Sequence, residues 1–201
     1  MSLYRELARR SAEGSLDASG ITVFQLDGYV GLVPDDRRSL LGWALRAFVE
    51  PLGIPASSVV PVPAGGDAAA CAEYDREVER AGGYDLAILG IGTNGHVGFN
   101  EPPSDASAPT RMVELSTESV GSNAAYWGGA GHVPRRAVTV GLAGLLRSRT
   151  ILLVASGASK REIVRRALLG NVTPDVPASS VQAVADLRLI VDRAAWDGGI
   201  A

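Results

Sequence analysis

His96 lies in the run Leu89-Gly-Ile-Gly-Thr-Asn-Gly-His-Val-Gly-Phe-Asn-Glu-Pro102, with Glu101 five residues beyond it. An imidazole with an ordinary pKa near ~6.5 exchanges protons at neutral pH, and a nearby carboxylate can orient it and stabilise its charged form. An isolated histidine at a turn usually has a backbone carbonyl as its partner. The flanking glycines and Glu101 favour proton transfer instead. Glycine also lets a turn bring backbone N–H groups against a ligand, so Gly92 and Gly95 are candidate substrate-binding positions.

Asp27 follows an apolar segment and precedes Gly28-Tyr29. A carboxylate at the end of a buried strand is partly desolvated and can act as a general base, worth about 10²–10⁴ in rate. Lys160 opens a helical pattern, where the helix dipole disfavours a cation. It becomes sensible there if an anion is shared between the ammonium and the helix's first N–H groups. Arg111, at the start of a short apolar segment, is a candidate phosphate ligand of the bidentate kind. His132, on a loop rich in glycine beside Arg135 and Arg136, reads as structural.

Gly90, Gly92 and Gly95 match G-x-G-x-x-G, with Glu114 placed to bind a ribose. That fingerprint needs a helix to begin inside the motif. Gly98 and Pro102-Pro103 leave no room for one, because proline inside a helix costs ~3 kcal/mol. The dinucleotide reading is rejected.

The elements that position these residues alternate. Apolar spacing predicts helices over 2–10, 40–48, 70–81, 117–127 and 160–168, and strands over 21–26, 86–89, 111–115, 150–155 and 187–191. Residues 137–140 read equally as strand or turn. The 86–89 and 150–155 runs have the unbroken apolar character of strands buried on both faces. Alternation of this kind predicts an α/β fold, a doubly wound and mostly parallel sheet with helices on both faces. Asp27, the His96 turn and the 157–160 turn then fall at strand C-termini, where such sheets bind ligands.

The 201 residues carry 46% hydrophobic and 20% charged residues with a formal charge of −3, which fits one globular domain and gives no basic footprint for nucleic acid. Cys71 is the sole cysteine, so no internal disulfide or cysteine-cluster zinc site can form. No run reaches the ~18 apolar residues of a membrane span, and no signal pattern opens the chain. A cytoplasmic protein with a small-molecule partner, without nucleic acid or membrane contact, is expected. Homo-oligomerisation stays open.

The run around His96 closely resembles the signature of the glucosamine-6-phosphate deaminase/isomerase family, related in fold to 6-phosphogluconolactonase. Leu26-Asp-Gly-Tyr-Val-Gly-Leu32 resembles the family's Leu-Asp-Glu-Tyr-x-Gly-Leu segment. Thr110-Arg111, Thr139-Val-Gly141, Gly157-Ala-Ser-Lys160 and Pro177-Ala-Ser179 agree in family order. Lactonases carry Asp-Glu-Arg and Gly-His-x-Ala-Ser-Leu-Phe-Pro at the first two places, so the deaminase is the first reading. A lactonase or related isomerase is the second, and a non-catalytic sugar-phosphate sensor the third.

The resemblance implies conversion of glucosamine 6-phosphate to fructose 6-phosphate and ammonia by a hydrolase without metal or redox cofactor. His96 would open the ring, oriented by Glu101 and Asn94. Asp27 would move a proton between C2 and C1, and Arg111 and Lys160 would hold the phosphate. Gly28 replaces a family Glu, Asn94 stands where many members have Asp, and Val184 replaces a common His. The family also begins with a helix, a strand and a Thr-Gly-Ser-Thr-Pro-like phosphate loop ahead of a helix resembling Leu3-Tyr-Arg-Glu-Leu7. The resemblance thus implies that Met1 is internal to a longer natural protein. Residues 1–201 would form a single isomerase/deaminase-like domain without the family's first strand and phosphate loop.

Overall fold

The computed structural model describes residues 2–196. Helix α1 (Ser2–Ala12) leads into strands β1 (Val23–Phe24) and β2 (Asp27–Tyr29), helix α2 (Leu40–Ala44), strand β3 (Val59–Val60), helix α3 (Ala68–Arg80) and strand β4 (Leu86–Gly90). Strand β5 (Arg111–Glu114), helix α4 (Thr117–Trp127), strand β6 (Arg136–Thr139), helix α5 (Leu142–Leu145), strand β7 (Thr150–Ala155), helix α6 (Arg161–Leu169) and strand β8 (Leu187–Val191) follow. The mixed α/β alternation is the expected one.

Local chemistry sets several boundaries. Asp67 caps α3 by accepting N–H bonds from Ala69 and Ala70 at 2.9 and 3.0 Å, satisfying donors that a helix start leaves open. Ser116 caps α4 through the Ser119 N–H at 3.1 Å. The helix expected over 40–48 is regular only to Ala44, then widens into a π turn over Leu45–Val49 before Pro51.

The strands form two parallel groups, β1-β3 and β4-β7-β8, and one antiparallel group, β2-β6-β5. Of the segment expected as one strand over 21–26, only Val23–Phe24 forms a strand, and β2 starts beyond it in the antiparallel group. The Gln25 side chain makes the break, donating to the Asp27 carbonyl at 2.6 Å and accepting the Val62 N–H at 3.2 Å. Asp27 thus begins a strand instead of ending one. Residues left ambiguous over 137–140 lie largely in β6, the middle strand of the antiparallel group.

The main core joins Leu89, Ile151, Leu153, Val138, Val140 and Val164. A second cluster packs Tyr29, Phe99, Val120 and Trp127. The expectation that β4 and β7 are buried on both faces is corrected. Ala87, Leu89, Ile151 and Leu153 are buried, whereas Ile88, Leu152 and Val154 on the opposite face are only partly covered. Among the described residues, β1 pairs only with β3 and β4 only with β7, so each keeps one bare edge. Leu86, at the start of β4, is 52% exposed, as expected of an edge strand without a neighbour. No helix among the described residues is long and apolar enough to cross a membrane.

Candidate functional site

The segment over residues 91–101, which leaves the C-terminal end of β4, touches every candidate side chain. Its first half is a closed turn. Gly92 N–H donates to the His96 carbonyl at 2.9 Å and Gly95 N–H to the Gly92 carbonyl at 3.0 Å. This corrects the expectation that these two amides face a ligand: both are engaged inside the turn. The glycines serve packing. A Cβ on Gly92 would lie within 2.5 Å of the imidazole of His96, and one on Gly95, at φ +91°, would lie 2.9 Å from Val176 Cγ1. The imidazole, Val176 and Ile163 of α6, whose Cδ1 would lie 3.1 Å from a Cβ on Gly95, approach the backbone where other residues would hold them off.

Asn94 Oδ1 accepts the backbone N–H of His96 at 3.1 Å. It fixes the histidine's main chain and not, as the resemblance implied, its ring. The imidazole is largely enclosed, and its Nδ1 is buried without a hydrogen-bond partner. Burial holds the His96 pKa below its ordinary value; Glu101 opposes that shift, Lys160 adds to it and Glu118 opposes it. His96 is accordingly neutral near pH 7, free to accept a proton.

Glu101 Oε2 accepts the Ser116 N–H at 3.2 Å, while Oε1 is buried and unpartnered. The carboxylate is close enough to influence His96 yet makes no hydrogen bond to it. Two buried polar atoms without partners, one on each residue, leave hydrogen-bonding capacity that a bound ligand can satisfy.

Asp27 reaches the segment from the antiparallel group. Its Oδ2 lies 3.4 Å from where a Cβ of Gly98 would be, and Thr139 Oγ1 lies 2.9 Å from the same point. The register places Asp27 opposite Thr139 and Thr139 opposite Arg111, so the three side chains share one face of the sheet. Burial alone pushes the Asp27 carboxyl up to about 7. Among the described residues, no cation offsets the desolvation.

Lys160 stands at the N-cap position of α6 and donates from Nζ to the Ile91 carbonyl at 2.7 Å, which brings the ammonium to the start of the turn. Burial lowers its pKa, opposed by Glu118. The Gly157 amide ahead of it is engaged by Asp192 at 3.0 Å. Arg111 borders the other end of the segment, donating from one terminal nitrogen to Asn100 Oδ1 at 2.9 Å and to the Pro109 carbonyl at 3.3 Å. The structure thus gives the two expected phosphate ligands different neighbours.

Three residues at the site escaped the sequence reading. Glu118, in the first turn of α4, accepts the Thr93 hydroxyl at 3.0 Å and faces both His96 and Lys160. Asn100, fully buried, joins the segment to Arg111. Asp75 on α3 accepts the Thr110 N–H at 3.0 Å, beside Arg111. Asn100 is within the 89–102 run, but the partners of Glu118 and Asp75 are 25 and 35 residues away in sequence, and no local pattern encodes such pairs. Among the described residues, no group of three or more His, Cys, Asp or Glu side chains could hold a metal ion.

Residues 1–190 match the family model described as glucosamine-6-phosphate isomerases/6-phosphogluconolactonase. A glucosamine-6-phosphate deaminase of Halothermothrix orenii is 38% identical over 195 residues, covering 96% of this chain and 81% of that one. Another, of Rhodopirellula baltica, is 38% identical over 194 residues, covering 96% and 77%. Among solved structures, a monomeric glucosamine-6-phosphate deaminase superposes with a TM-score of 0.92 at 36% identity, covering 96% of this chain and 81% of that one. A 6-phosphogluconolactonase from Thermotoga maritima gives 0.71 at 21% identity, covering 94% and 79%, a likeness of fold. With a family model spanning nearly all its length and relatives matched over most of theirs, the chain belongs to the glucosamine-6-phosphate isomerase/6-phosphogluconolactonase family.

Proposed function

We propose that the protein converts glucosamine 6-phosphate to fructose 6-phosphate and ammonia. The observation that carries this reading is the Asp27 carboxyl, raised to about 7 by burial and set beside Gly98 of the segment that carries a neutral His96 whose Nδ1 has no partner. A group whose pKa lies near the working pH is suited to taking and returning a proton.

His96 removes the proton from the sugar's O1 hydroxyl and returns one to O5 as the ring C1–O5 bond breaks. Glu101 steadies the imidazolium formed between these steps. Asp27 then takes the proton from C2 and delivers it to C1 through an enolamine. Water adds at C2 and ammonia leaves, so substrate and one water balance fructose 6-phosphate and ammonia. Lys160 pairs with the phosphate. Asn94 holds the His96 backbone throughout, and Gly92 and Gly95 give the turn its shape. Relatives named as deaminases and a family described as isomerases support an isomerase-type deaminase. The hydrolase label expected from the resemblance is not supported.

The same reading takes residues 1–201 as one isomerase/deaminase-like domain. One experiment tests the activity. The protein is assayed for ammonia release from glucosamine 6-phosphate and galactosamine 6-phosphate, and for hydrolysis of 6-phosphogluconolactone. Ammonia release is expected. Lactone hydrolysis without ammonia release refutes the activity.

A further inference from the structure

The 97–100 turn carries an acid-base group at each end, His96 before it and Glu101 after it. The turn is held by its last residue, Asn100, which is fully buried. Asn100 Nδ2 donates to the Val97 carbonyl at 3.0 Å and the Val140 carbonyl at 2.8 Å. Its backbone N–H donates to Val97 at 3.1 Å. Those bonds tie the turn to itself and to the end of β6, and the Oδ1 atom accepts from Arg111 at 2.9 Å.

Arg111 is itself anchored. Register with Thr139 fixes its backbone, the Pro109 carbonyl accepts a second bond from the same nitrogen, and Asp75 holds both the N–H and the hydroxyl of the preceding Thr110. Among the described residues, Arg111 has no carboxylate within ion-pair distance, whereas other arginines do. A partly buried cation is costly without compensation. The amide oxygen of Asn100 supplies some, and a charge-assisted bond of this kind is among the stronger ones.

We propose that Arg111 is a positioning residue acting through Asn100: its guanidinium locks the Asn100 amide, the amide locks the 97–100 turn, and the turn sets the separation of His96 from Glu101. This rests on the acid-base reading of those two residues and departs from the expectation that Arg111 holds phosphate. Without the guanidinium, Oδ1 becomes a buried acceptor with no donor, and the Asn100 side chain keeps only its two Nδ2 bonds, so the cost of the unpaired oxygen falls on the turn. Misplacement of a catalytic group by about 1 Å lowers a rate by about 100-fold.

The test compares Arg111→Gln and Arg111→Lys with the parent protein for kcat and KM on glucosamine 6-phosphate, for the binding of inorganic phosphate by calorimetry, and for the NMR titration midpoint of His96. Arg111→Gln is expected to lower kcat about 10- to 100-fold, to leave KM and the phosphate constant within about threefold, and to move the His96 midpoint. Arg111→Lys, which keeps a charged donor and guards against simple misfolding, should recover part of kcat. A rise in both KM and the phosphate constant with kcat and the midpoint unchanged overturns the proposal, as does an Arg111→Gln variant that matches the parent throughout. If the parent releases no ammonia, the functional reading fails separately. Phosphate binding and the His96 midpoint then still decide the role of Arg111 in the same two directions.

Discussion

Asp27→Asn separates the base's contribution to catalysis from its burden on the fold. Burial raises the Asp27 pKa from the ordinary 3.8 to about 7. At about 1.4 kcal/mol per unit, a difference of roughly 3 units corresponds to about 4 kcal/mol between the charged and neutral forms. The folded protein binds this proton more tightly than the unfolded chain does. Its favourable contribution is therefore complete below about pH 4 and is lost as pH rises through about 7. Asparagine has nearly the same shape and cannot ionise. Asp27→Asn should consequently match the parent in stability near pH 4 and exceed it by up to about 4 kcal/mol at pH 8. Urea unfolding of both proteins at several pH values between these limits reads the difference directly. The same variant should release ammonia about 10²–10⁴ more slowly, because no group remains to move the C2 proton. A stability difference that stays flat from pH 4 to pH 8 would refute the assignment of a desolvated carboxyl to this position. Gain in stability with loss of turnover is the pattern expected when a site is held in an unfavourable state for its chemistry.

His96→Gln keeps a polar side chain at the turn but cannot carry the ring-opening proton. It should slow cyclic glucosamine 6-phosphate by about 10²–10⁴ while slowing an open-chain analogue far less, and equal slowing in parallel steady-state assays would argue against His96 as the ring opener. Lys160→Ala removes the ammonium beside the turn, whose Nζ sits 2.7 Å from the Ile91 carbonyl. A hydrogen bond to a charged group is worth about 1.5–3 kcal/mol, so KM should rise by about 10- to 150-fold. Unchanged KM and unchanged binding of inorganic phosphate would remove Lys160 from the phosphate site.

The parts of this molecule legible in its sequence are those encoded within a few residues. The helices expected over 70–81 and 117–127 form as α3 and α4, and the structure shows Asp67 and Ser116 capping them. The glycines around His96 mark a turn that no other residue type could form so tightly, and the turn is there. Their purpose is not legible in the sequence, because the same glycine that exposes an N–H to a ligand can equally close a hydrogen bond within its own loop, as Gly92 and Gly95 do. Longer-range features had no such signature. The stretch over 21–26 is apolar enough to read as one strand, but the Gln25 amide bridges to Val62, 37 residues on, and the strand ends at Phe24. Arg111 illustrates the same limit at the site. A lone arginine near a predicted phosphate site has an obvious anion to bind, yet the β5–β6 register and the buried Asn100 direct its guanidinium onto an amide oxygen. Sequence identifies which groups can do proton chemistry, because pKa and charge are properties of residue type. Which of them touch the substrate and which hold the others in place depends on desolvation and on hydrogen-bond partners distant in the chain, and those exist only once the sheets have formed.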